Sequence, residues 1–76
     1  MRDPPDVRRA TLDYKAALEN AAQAQEAMAS RLALLADELE RQGRPKLADS
    51  LQRTCHQHRA SSIKYRALAA SLMGPD

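Results

Sequence analysis

The sequence has no phenylalanine and no tryptophan, and it holds only two tyrosines, two glycines and one cysteine in 76 residues. A core built without large rings must come from aliphatic side chains. Yet fifteen residues are alanine, and leucine, isoleucine and valine together number twelve. So small a supply of bulky apolar groups raises disorder as an alternative, and a domain of this size buries only a modest share of its surface unaided. A formal net charge of +2 and an abundance of strong helix formers weigh the other way. The prolines also sit near the expected ends of elements, at Pro4-Pro5, Pro45 and Pro75. The expectation is one ordered, all-α domain that needs help to bury itself.

One cysteine cannot close an internal disulfide, and the opening "MRDPPDV" is charged and proline-broken, unlike a signal peptide. A cytoplasmic location is expected. The longest apolar run, Leu32 to Ala36, is five residues, against about twenty for a helix that spans a membrane. No membrane partner is expected.

What is present reads as two long helices. Asp3 can accept from free backbone N–H groups, Pro4 suits a first helical position, and Asp6 complements the positive helix end. Nothing then interrupts the helical sequence until Gly43-Arg44-Pro45, where glycine suits the left-handed backbone past a helix end and proline the first turn of the next. The spacing predicts a helix over about residues 4–42, a turn at 43–45 and a second helix over about 45–73, ended by Gly74-Pro75. At 1.5 Å per residue the helices would be about 57 and 43 Å long.

Both helices carry a heptad seam with alternating steps of four and three, one from Val7 through Leu18, Met28 and Leu35 to Gln42, the other from Leu47 through Leu51, His58 and Tyr65 to Leu72. Folding back at Gly43 gives an antiparallel hairpin in which Leu39 faces Leu47, Leu35 faces Leu51, Met28 faces His58 and Gln25 faces Ser61, each pair of numbers summing to 86. Heptad spacing makes the constant sum partly automatic, whereas the matching of leucine with leucine and polar with polar is not. Gln25, Thr54, His58 and Ser61 form a polar layer in the middle of this seam. Such a layer costs stability unless its groups are paired, and it is expected to fix the register.

Beside the seam run small residues at every seventh position, Ala22, Ala29 and Ala36 on the first helix and Ala48, Cys55, Ser62 and Ala69 on the second. They permit close backbone approach and widen the apolar stripe beyond what one partner helix covers. The fold class expected is an antiparallel helical hairpin that dimerises into a four-helix bundle or docks on another helical protein.

The stretch "TCHQHR", Thr54 to Arg59, gathers the only cysteine and both histidines. Cys55 and His58, three apart, share a helix face and form a zinc-type donor pair, but His56 points about 100° away from Cys55 and no second Cys/His pair exists. A Cys/His nucleophile would need an orienting third group, an oxyanion hole and a pocket, which a two-helix hairpin hardly provides. The stretch therefore reads as structure: Cys55 a small buried filler, His58 a seam residue beside Met28, His56 facing solvent. No catalytic residue, metal, cofactor or small-molecule substrate is expected.

Charge is unevenly shared. Residues 1–42 hold six basic and eight acidic side chains, and residues 43–76 hold six basic and two acidic. Arg53, Arg59 and Arg66 fall on the outward side of the second helix with Ile63 among them, and Lys64 flanks the seam. At the other end, Arg8 and Arg9 lie on an overhang of the first helix, whose residues 4–13 have no counterpart in the second. This basic surface is a solvated face partly neutralised by Glu19, Glu26, Asp37, Glu38 and Glu40, a phosphate-tracking stripe for nucleic acid, or a contact for an acidic or helical protein. The nucleic-acid alternative lacks stacking aromatics on that face and any recognised motif.

In outline the chain resembles small dimeric helical-hairpin regulators such as the plasmid Rop-type RNA-binding proteins, and equally the helical-hairpin co-chaperones of bacterial secretion systems. The likeness is one of architecture, carries no site residues, and implies either an RNA-binding regulator or a secretion co-chaperone. The residues themselves point to a small non-enzymatic interaction or adaptor protein, working as a homodimer or docked on a helical partner.

Overall fold

The computed structural model describes residues 5–73, which form two helices, α1 (Pro5–Arg41) and α2 (Pro45–Met73), packed antiparallel in a rod of 63 × 17 × 12 Å. The expected cap by Asp3 and first helical position at Pro4 lie outside the described residues. Asp6 stands in the first turn of α1 and Arg41 in its last, each of the sign that opposes the helix dipole.

The turn follows from local chemistry. Gly43 has φ +76°, a conformation glycine adopts without a Cβ penalty. Its N–H donates to the Glu40 carbonyl at 3.0 Å, while the Arg44 N–H reaches back to the Leu39 carbonyl at 2.8 Å. These two bonds make a Schellman motif, which satisfies carbonyls left free at the end of α1. Arg44 then caps α2 through its backbone, accepting from the Ala48 N–H at 3.1 Å. Pro45 follows at the first helical position, where a missing N–H costs nothing.

The helices meet along the small residues. Ala22, Ala29 and Ala36 of α1 and Ala48, Cys55, Ser62 and Ala69 of α2 are buried, and Leu18 is the one large side chain buried with them among the described residues. Contact between the rows is close: the Cys55 thiol donates to the Ala29 carbonyl oxygen at 3.2 Å. Seven residues span just under two helical turns. From the Cys55–Ala29 contact, that repeat puts Ala22 level with Ser62 and Ala36 level with Ala48.

This moves the expected interface sideways. The half of each seam next to the small row, including Gln25, Leu32, Leu39, Leu51, His58 and Tyr65, is partly buried, as are the smaller Ala21, Thr54 and Ser61 of the other half. The large side chains of that other half, Val7, Tyr14, Met28, Leu35, Leu47 and Leu68, stay exposed, and Leu35 is 54% accessible. In the middle of the seam the bond that crosses the hairpin joins Gln25 to His58. The reason is steric. Where two rows of alanine-sized residues oppose, backbones come together along them, and the leucine columns are left to one side. In this register Met73 is level with Thr11, which shortens the expected overhang of α1 so that it ends before Thr11.

Candidate interaction face

The hairpin has two unlike faces, set by position relative to the small rows. Antiparallel neighbours are related by a local two-fold axis, so equal offsets from the two rows lie on one side of the hairpin. One residue before each row come Tyr14, Ala21, Met28 and Leu35 on α1 and Leu47, Thr54, Ser61 and Leu68 on α2. Together with the half-buried seam residues they make a continuous face. From Thr11 to Gln42 and from Leu47 to Leu72 its columns carry no Asp, Glu, Lys or Arg. Its exposed large side chains are Val7, Tyr14, Met28, Leu35, Leu47 and Leu68.

The middle of this face is polar. His58 Nδ1 lies within hydrogen-bond distance of Gln25 Oε1, a bond made by the tautomer that carries its proton on Nδ1. Thr54, in the same layer, donates to the Ser50 carbonyl of its own helix at 3.2 Å, and Ser61 is half-buried beside them. Of the four residues expected to form the polar layer, Gln25 and His58 thus make the bond that crosses the hairpin. Among the described residues no buried side-chain nitrogen or oxygen lacks a partner.

Four residues past each small row lies the opposite face, where charge is concentrated. Glu26 is the hub. Its carboxylate accepts from Ser62 Oγ at 2.9 Å and, in a two-pronged pair, from Arg66 Nε and Nη2 at 3.0 Å each. The Arg66 guanidinium, and next the Ser62 hydroxyl, hold the Glu26 carboxyl below its ordinary range, and Glu26 in turn raises Arg66. At the turn end, Arg41 and then Gln42 lower Glu38 in the same way, with Arg41 Nη2 at 2.7 Å from the carboxylate. Lys15 and Glu19 pair at 2.6 Å along α1.

Each residue expected to meet a partner is exposed: Arg8, Arg9, Arg53, Arg59, Ile63, Lys64 and Arg66, with Ile63 at 69%. They do not form one patch. Arg8 and Arg9 lie near the start of α1. Arg59 and Arg66 share a column, Arg53 is set off from it around the helix, and Lys64 borders the uncharged face. Arg66 is engaged by Glu26, which reduces the free positive charge of the stripe. The sequence identified Glu26 as one of several neutralising acids. Its bond to Ser62 was not foreseen, because it requires the small rows to be the line of contact.

Cys55 and His58 are turned to different partners on α1, the Ala29 carbonyl and the Gln25 side chain. Among the described residues no group of three or more His, Cys, Asp or Glu side chains could hold a metal ion, and no helix is long and apolar enough to cross a membrane. Comparison with protein-family models, with curated proteins and with solved structures finds no match to this chain.

Proposed function

We propose that this chain is a small non-enzymatic interaction protein of the cytoplasm that works through its uncharged face, docked either on a second copy or on the helices of another protein. The observation that supports this reading is the combination of extent and composition on one side of the hairpin. Two helices' worth of leucine, methionine and tyrosine stand exposed there without a formal charge among them. Monomeric proteins rarely leave contiguous apolar patches larger than a few hundred Å2 open to water, because covering them is favourable by about 25 cal/mol per Å2. The single cysteine, Cys55, is buried and closes no internal disulfide, and a cytoplasmic site of action requires none.

Nucleic-acid binding through Arg53, Arg59, Lys64 and Arg66 is the second reading, and a secretion-type co-chaperone is a special case of the first. The Glu26–Arg66 pair weighs against the second, since it neutralises one of the four cations. Chromatography at high salt tests the choice. The docking reading expects an assembly that persists at high salt and is lost in Leu35→Asp/Leu68→Asp, with helical content retained. An association seen only at low salt, requiring RNA or DNA and untouched by that double substitution, would contradict it.

A further inference from the structure

We infer that the occupant of the uncharged face is a second copy of this chain, laid with its α1 on α1 and its α2 on α2 and its turn at the opposite end, so that the Gln25–His58 layer lies at the two-fold axis. The inference rests on the reading of this face as a docking surface and adds the identity and orientation of what docks.

The pattern on the face is palindromic. A two-fold axis crossing α1 between Ala21 and Met28 sets small Ala21 against large Met28 of the second copy, and Tyr14 against its Leu35. Crossing α2 between Thr54 and Ser61, the same axis sets Thr54 against the second copy's Ser61 and Leu47 against its Leu68. Heptad spacing makes equal steps automatic, but not the pairing of small with large, polar with polar and leucine with leucine. The two crossing points are nearly level in the observed register, since Gln25 and His58, which bond to each other, flank them both. Charges at the margins do not collide either: Arg31 falls against Ala17 and Lys64 against Ser50, so two chains of net charge +2 meet without like charges opposed.

The other symmetric arrangement, with both turns at one end, sets Met28 against Thr54 and leaves the start of α1 uncovered. The crossed arrangement lays residues 8–41 of α1 along the copy's α1 and sets Val7 against the copy's Gln42 at the turn. It thereby covers Val7, which is 51% accessible in the single hairpin. The area also suffices. A face of 63 × 17 Å has a footprint of roughly 1,000 Å2, against about 800 Å2 per partner in a stable interface of standard size.

Pulsed electron–electron distance measurement tests this on the full chain, with spin labels at Arg44→Cys in a Cys55→Ser background and, separately, at Asp6→Cys in the same background. Both positions are exposed and near the ends of α1. The crossed dimer predicts a separation of about 58 Å between Arg44 labels and about 55 Å between Asp6 labels, from 1.5 Å of rise per residue. Separations below about 30 Å at both sites would mean turns at the same end and would overturn the orientation. A monomer that instead forms a salt-resistant complex with a different helical protein would overturn the choice of a second copy while leaving the docking face standing. A monomer with no such complex would remove both.

Discussion

Gln25 and His58, 33 positions apart in sequence, bond across the hairpin through Oε1 and Nδ1 at a half-buried site. This contact ties the two helices at one height and marks the midpoint of the face that remains open. A side-chain hydrogen bond is typically worth about 0.5–1.5 kcal/mol net. A double-mutant cycle with Gln25→Ala and His58→Ala, read by urea unfolding, should therefore give a coupling of that size. Strictly additive losses would show that the two side chains do not act together.

Ala29 is 1% accessible and its carbonyl touches the Cys55 thiol. Ala29→Leu adds bulk where backbones are closest, and should destabilise the hairpin by about 1–3 kcal/mol. Leu34, which is 69% accessible and lies off both the contact row and the uncharged face, is the control. Leu34→Ala should change stability by less than about 0.5 kcal/mol. Equal tolerance at the two sites in chemical denaturation would place the contact line elsewhere.

At Gly43 a Cβ would meet nothing within 4 Å, so any cost of Gly43→Ala comes from the positive φ alone. The expected loss is about 1 kcal/mol with helical content unchanged, measured by thermal unfolding followed by circular dichroism. A gain in stability would mean the turn does not need its left-handed residue.

The turn was legible in the sequence because Gly43-Arg44-Pro45 acts locally: a left-handed cap and a proline start need no knowledge of the rest of the chain. The two helices and the small rows at every seventh residue were legible for the same reason. What could not be read was which of three adjacent columns is central. Leucine columns gain most from burial wherever they are buried, inside the hairpin or under a second surface, so their presence does not say which. The alanine rows decide it by allowing close approach, and the resulting turn of each helix sets His58 against Gln25 and brings Glu26 under Ser62 and Arg66. The exposure of the basic residues was legible from spacing alone, but their division into separate groups follows from the same rotation.

Acid should act through Glu26. Its carboxyl is held below the ordinary value of 4.5 in the folded chain by Arg66 and then Ser62. Its contribution is therefore fully present above pH 4.5 and is lost as pH falls through the lowered folded value. Glu26→Gln should flatten the decline of the urea midpoint on the acid side, and the native difference should shrink at high salt because the pair is exposed. An identical acid profile in the variant would show that the pair contributes nothing to folding.

Sedimentation equilibrium of the native chain at micromolar concentration bears most directly on the claim that pairing along the small rows leaves a face which must be covered. The chain should sediment at twice its 8.4 kDa mass, and Leu35→Asp/Leu68→Asp should reduce it to a helical monomer. A native chain that stays at 8.4 kDa, compact and cooperatively folded, would contradict the account.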